Sequence, residues 1–124
     1  MSVSLLIVSA VIEFATGVLL LAAPEPVVAL LLGGSLDTPT ALVAARVAGA
    51  ALLSLGSACW LARRDGYALV AAMLVYNVAA TAVMMHAYFG FGLNGTGLWP
   101  AIILHSALVG WCLKFLQARK QDAK

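Results

Sequence analysis

The sequence predicts an all-α membrane protein: an antiparallel bundle of four transmembrane helices, with a short interfacial helix between the first and the second. Of the 124 residues, 64% are hydrophobic and 10% are charged, whereas soluble domains are about 45–50% apolar and about 25% charged. The apolar residues form four long runs, each close to the ~20 residues that a helix needs to cross a bilayer. Prolines, glycines and charged residues separate these runs. We therefore expect residues 1–124 to form a single transmembrane domain.

The first span is predicted over residues 4–22. It ends before Pro24 and Pro26, because proline inside a helix removes hydrogen bonds that lipid cannot replace. The next apolar stretch, residues 27–32, is too short to cross the membrane. We expect it to form a short helix in the interface, closed by Gly33-Gly34.

The other three spans are predicted over residues 40–62, 67–89 and 99–116. Asp37 or Thr38 can cap the second span, with Pro39 in its first turn. The charged loop 63–66 separates the second and third spans, and Pro100 stands in the first turn of the fourth. Each predicted boundary therefore coincides with a residue type that starts or stops helices.

The basic residues predict the orientation, because cytoplasmic loops carry the excess of Lys and Arg. The loops after the first and third spans contain no basic residue. Arg63 and Arg64 lie in the loop after the second span. The other basic residues near a helix end lie in or beyond the end of the fourth span: Lys114, Arg119, Lys120 and Lys124. Both termini are thus expected in the cytoplasm. The alanine-rich composition suggests a multi-pass protein of a bacterial inner membrane, and a net charge of +2 gives no indication of nucleic-acid binding.

Polar residues inside the spans are the best indication of function, since charges there are costly and are usually paired or functional. Glu13 and Arg46 are predicted at depths of about 13 and 9 Å from the external end of their helices. This permits an ion pair between neighbouring antiparallel helices. Asn77 and His105 fall at similar depths, so each span is expected to contribute one side chain to a polar layer.

Helical geometry adds secondary positions to this layer. Those that share a face with Glu13 or Asn77 are Ser9, Thr16, Thr81 and Tyr88. His86 lies about half a turn out of phase with Asn77 at ~100° per residue, so it should point away from the layer.

The layer has two interpretations. In the structural one, Glu13 and Arg46 neutralise each other while Asn77 and His105 form interhelical hydrogen bonds. In the functional one, the layer is a small pocket in which Glu13 accepts a proton or a cation and Arg46 holds an anionic group. The sequence leaves both open.

Other groups give weaker indications. A haem between His86 and His105 is chemically possible, although the two lie at different depths. Cys59 and Cys112 have neither C-x-x-C spacing nor metal-ligand partners, so we expect small apolar packing residues and no metal site.

A stripe of small residues runs along the second span, where Ala45, Gly49 and Gly56 share one face. Small residues let two membrane helices approach closely. The stripe therefore predicts a packing surface, whose neighbour is either in the same chain or in another subunit.

Glu13, the segment 24–34 and the run from Ala45 to Gly49, followed by Gly56, resemble small four-span bacterial inner-membrane proteins of unknown function. This resemblance covers most of the chain and implies no activity. A glutamate in the first of four short helices is also similar to the small multidrug resistance transporters. The aromatic and glycine pattern of their other helices is not found, and Arg46 would disturb a cation site, so no residue role is transferred.

We expect a non-enzymatic protein, either an accessory subunit of a membrane complex or a binder of a small polar or lipidic ligand. The alternative is an oligomeric ion- or proton-coupled transporter, and a haem-binding subunit comes third. The expected partners are the lipid bilayer and either further copies of the chain or a larger membrane complex.

Overall fold

The structure, a computed structural model that describes residues 2–64 and 66–122, is built from α-helices. In chain order the described residues form α1 (Ser2–Ala22), α2 (Pro24–Leu32), α3 (Pro39–Leu61), α4 (Tyr67–Phe91) and α5 (Leu98–Asp122). The helices α1, α3, α4 and α5 are long and apolar enough to cross a membrane. This confirms the predicted fold class, in which a short helix follows the first of four long ones.

The two prolines begin α2 instead of preceding it. Only Ala23 separates α1 from α2, and α2 starts at Pro24, three residues earlier than predicted. Proline suits the first turn, where its missing N–H would have no partner. The helix ends as predicted, because Gly33 adopts a left-handed conformation (φ 70°) and donates its N–H to the Ala29 carbonyl at 2.9 Å.

Except at the end of α5, the long helices begin and end within two residues of their predicted positions. Thr38, not Asp37, caps α3: its Oγ1 accepts a hydrogen bond from the Ala41 N–H at 3.1 Å. Gly92 closes α4 in a left-handed conformation. Helix α5 continues to Asp122, beyond the predicted end of the apolar span at residue 116, because its basic last turns can extend past the hydrocarbon without leaving the helix.

Helices α1 and α3 form a tightly packed antiparallel pair. A methyl group on Gly56 would lie 2.6 Å from the Phe14 nitrogen, and one on Gly49 would lie 3.0 Å from the Gly17 carbonyl oxygen. Side chains at these positions would force the two backbones apart. The predicted stripe therefore packs against α1 of the same chain, although its third member, Ala45, is only half-buried.

Helices α4 and α5 form a second pair, and the two pairs are joined mainly at the end of the bundle away from α2. Apolar residues of α1, α3, α4 and α5 form a single core there. The buried members of this core are Leu5, Leu6, Ala10, Cys59, Val70, Met73, Leu108, Cys112 and Phe115. Both cysteines are fully buried, which confirms their expected role as packing residues.

At the opposite end, α2 packs against the loop before α5. The Gly97 N–H donates to the Leu30 carbonyl at 2.8 Å. Gly95 is buried so close to the backbone of Leu30 and Leu31 that a Cβ atom would overlap it. The glycines of this loop thus allow α2 to connect the α1–α3 pair with the start of α5.

Candidate functional site

A large cavity lies between the two helix pairs on the α2 side of the core. Its volume is about 700 Å³, within the range of about 300–1,000 Å³ typical of small-molecule sites. All five helices contribute to its wall, which is almost wholly aliphatic. The lining residues are Ile12, Thr16, Leu19, Leu20, Val27, Leu30, Leu31, Ala48, Ala51, Leu52, Tyr76, Ala80, Val83, Met84, Ala101, Leu104 and His105.

The inner end of the cavity is polar, because Tyr76 and His105 are among its lining residues. Behind Tyr76 lies Glu13, whose side chain is only 1% exposed. The Tyr76 hydroxyl donates a hydrogen bond to Glu13 Oε2 at 3.0 Å. The Tyr76 and His105 rings meet edge to face, with centroids 5.7 Å apart, so one layer joins α1, α4 and α5.

His105 is held by Asn77. Its Nδ1 lies 2.7 Å from Asn77 Oδ1, while the Asn77 Nδ2 donates to the Met73 carbonyl at 2.7 Å within α4. Asn77 is completely buried. Its backbone carbonyl also accepts a hydrogen bond from the Thr81 hydroxyl at 2.8 Å. The structure therefore brings Glu13, Asn77 and His105 to one layer.

Two buried polar atoms in this region lack a hydrogen-bond partner among the described residues. They are Glu13 Oε1 and Ser9 Oγ, which stand one turn apart on α1. Ser9 is 1% exposed. Such groups are rare in a protein interior, because an unsatisfied buried polar atom costs about 1–3 kcal/mol. Helix α1 therefore carries two buried polar atoms that the described residues leave without a hydrogen bond.

The predicted Glu13–Arg46 ion pair is wrong, because Glu13 bonds to Tyr76 while Arg46 is exposed. Facing residues of α1 and α3 have numbers that add to about 70, as for Phe14 and Gly56. On this register Glu13 lies level with Ser57. From Ser57 to Arg46 is about 11 residues, or ~16 Å along the helix.

The error came from assuming that α1 and α3 reach the same level at the α2 end. On the observed register, Pro39 faces a position about nine residues beyond Ala22, so α3 extends ~13 Å past the end of α1. Helix α2 and its following loop supply the chain that makes this offset possible. Arg46 therefore lies nearer the level of Pro24 than that of Glu13.

The secondary positions divide between the cavity and its surroundings. Thr16 lines the cavity, whereas the Thr81 hydroxyl bonds within α4 to the Asn77 carbonyl. Tyr88 packs against Trp99 with ring centroids 5.2 Å apart, away from the polar layer. His86 is exposed and meets Phe91 edge to face at 5.0 Å, which confirms that it points away from Asn77.

The two histidines occupy different environments. His86 is exposed, and His105 is bonded to Asn77 at the cavity, so a haem between them stays a prediction without support from their positions. Within residues 2–64 and 66–122, no cluster of three or more His, Cys, Asp or Glu side chains is arranged to hold a metal ion.

Tyr76 is the site residue that sequence analysis missed. It stands beside Asn77 in the middle of a long apolar span. A tyrosine at that depth needs a partner for its hydroxyl, and this signal could have singled it out.

The chain matches no known protein family, no curated protein and no solved structure. The function of the chain is therefore inferred from the geometry of the site.

Proposed function

We propose that the protein binds a small amphipathic or lipidic molecule in the cavity between its helix pairs. The observation that carries this proposal is the combination of an aliphatic wall from all five helices with Tyr76 and His105 at the inner end. Ligand sites commonly have this composition: apolar walls for affinity and a few polar groups for orientation. The apolar part of the ligand would occupy the wall, and its polar head would contact the two side chains.

The cavity also suits entry from the bilayer. Several wall residues are more than half exposed, including Leu19, Leu30 and Val83, so the space is continuous with the outside of the bundle. A molecule dissolved in lipid could enter sideways between the helix pairs without crossing water. A soluble polar substrate would find no comparable path along these aliphatic side chains.

Filling the cavity tests the proposal. Ala80→Phe places a ring in the wall, whereas Ala79→Phe places the same ring on the exposed side of α4 outside the lining. Binding of tritiated dodecanol to protein in lipid nanodiscs, corrected for empty nanodiscs, should be lost in Ala80→Phe and kept in Ala79→Phe. Equal binding by both variants would place the ligand elsewhere.

Proton-coupled transport is a second candidate, and the buried Glu13 favours it. Its Oε1 lacks a partner in the described part of the chain and its Oε2 is bonded to the cavity residue Tyr76. A carboxyl group in this position can exchange a proton as a ligand moves past Tyr76. Proteoliposomes should then show a flux driven by a pH gradient that Glu13→Gln abolishes, and an unchanged flux would remove Glu13 from the mechanism.

An accessory role in a larger complex or homo-oligomer has a separate basis in Arg46. This charge is exposed on a helix that can cross the membrane, and charges on such helices are usually covered or paired where they would face lipid. A pull-down in mild detergent should recover a partner that Arg46→Leu loses, while Val47→Leu, an exposed neighbour on α3, retains it.

We also propose that the protein lies in a bacterial inner membrane with both termini in the cytoplasm. The support is the distribution of basic residues: Arg63, Arg64 and the basic end of α5 lie at the end of the bundle away from α2. The cavity would then open in the external half of the bilayer. Single cysteines at Asp37 and Gln117 in a cysteine-free background should react with an impermeant maleimide from opposite sides.

A further inference from the structure

The hydrogen bonds around Asn77 determine which proton His105 carries. A backbone carbonyl can only accept hydrogen bonds, so the amide atom 2.7 Å from the Met73 carbonyl must be the nitrogen. The other amide atom, which faces His105, is therefore the oxygen. An amide oxygen also only accepts, so the His105 Nδ1 at 2.7 Å must be the donor.

This arrangement leaves the other ring nitrogen as an acceptor. A neutral imidazole carries one proton, and Asn77 holds it on Nδ1. Nε2 then has a free lone pair and makes no hydrogen bond within residues 2–64 and 66–122, in a side chain that lines the cavity. A half-buried histidine with its proton fixed in this way is a preorganised hydrogen-bond acceptor.

Tyr76 contributes a second acceptor for the same reason. Its hydroxyl proton is used on Glu13 Oε2, so the phenolic oxygen offers the cavity only lone pairs. The third polar residue of the wall, Thr16, can donate or accept and does not discriminate. The inner end of the cavity is thus richer in acceptors than in donors.

We propose, on the basis of the ligand-binding function above, that the cavity selects molecules whose polar head donates a hydrogen bond to His105 Nε2. Hydroxyl and N–H groups qualify. Ethers, esters and quaternary ammonium groups do not, because they would leave Nε2 without a partner. The selected class is an amphiphile with an apolar body and a donating head such as an alcohol, a phenol or an amine.

Probes that share one alkyl chain and differ in the head test this. Dodecanol donates, dodecyl methyl ether only accepts, and dodecyltrimethylammonium carries charge without a donor; dodecylamine has both charge and donors. In nanodiscs, dodecanol should bind the native protein about tenfold more tightly than the ether, as expected when a polar pair in a buried site loses its hydrogen bond. The amine should likewise bind more tightly than the quaternary ion. If the affinity ratio of alcohol to ether is the larger, a neutral donor is the preferred head; if the ratio of amine to quaternary ion is the larger, a charged donor is preferred.

The outcomes separate the two proposals. If no probe binds, ligand binding itself is refuted. If dodecanol and the ether bind equally, or the quaternary ion binds more tightly than the amine, the cavity binds ligands but the donor rule is wrong. Since these comparisons use one native protein, they do not depend on the folding of a variant.

Variants then locate the acceptor. His105→Phe should remove the preference of dodecanol over the ether, while Thr16→Val and the exposed-site control His86→Phe should keep it. A preference that survives in folded His105→Phe would assign donor recognition to another group and overturn the role of Nε2.

Discussion

Replacing Gly56 by alanine should loosen the α1–α3 pair and destabilise the bundle. The added methyl group would lie 2.6 Å from the Phe14 nitrogen and 2.9 Å from the Ala10 carbonyl oxygen. Both atoms belong to the backbone of α1, so no side-chain rotation can relieve the contact. The residue was predicted as a packing position from sequence, and the structure now gives the atoms that it would meet.

The magnitude follows from the distances. Ordinary contacts of a Cβ atom begin at about 3.4 Å, so the two helices must separate by about 0.8 Å at this level. Overpacking of this kind costs about 1–3 kcal/mol. The change from glycine to alanine also favours the helix by about 1 kcal/mol, which would partly hide the cost in a single measurement.

Gly110 supplies the matched control. It lies inside α5, and nothing stands within 4 Å of the position where a methyl group would be added. Gly110→Ala therefore has the same helix-propensity gain without the contact. In reversible unfolding by SDS in mixed micelles, Gly56→Ala should be less stable than Gly110→Ala by about 1–3 kcal/mol. Equal free energies of unfolding would refute the close approach of α1 and α3.

The remaining predictions concern the polar layer, the core and α2. Glu13→Gln and Arg46→Leu should change the free energy of unfolding additively within about 0.5 kcal/mol, because the two sites are well separated. If the double variant departs from the sum of the single variants by more than about 1 kcal/mol, Glu13 and Arg46 interact after all. Cys59 and Cys112, both fully buried, should resist maleimide until the protein is unfolded, and rapid labelling of the native protein would contradict the core packing. Gly95→Val should displace α2 from the loop before α5 and speed hydrogen–deuterium exchange in α2, so unchanged exchange there would argue against the contact.

Local physical rules made most of the fold predictable from sequence. Four apolar runs of membrane-spanning length need helices, because lipid offers no partner for a free backbone group. Pro39 and Gly33 mark a helix start and a helix end through conformations that hold in any surroundings. Helical periodicity alone separated the buried Asn77 from the exposed His86.

The site was predictable only in part, because it depends on how far one helix is displaced along another. Arg46 was assigned to the layer by counting from the ends of two helices. The offset between α1 and α3 places it ~16 Å along the helix from the level of Glu13. Tyr76 then took the place of Arg46 beside Glu13. The displacement of α3 along α1 does not alter the hydrophobic pattern of either helix, so no one-helix argument could detect it.

The sequence by itself determined that the chain forms four long apolar helices, where most of them begin and end, and that Glu13, Asn77 and His105 are polar residues inside separate helices. Only the tertiary structure decided which of these side chains meet, and that the two helix pairs diverge to leave a cavity on the α2 side. The physical reason is that helix formation depends on neighbours in sequence, whereas helix register and the space between pairs depend on packing contacts between distant residues.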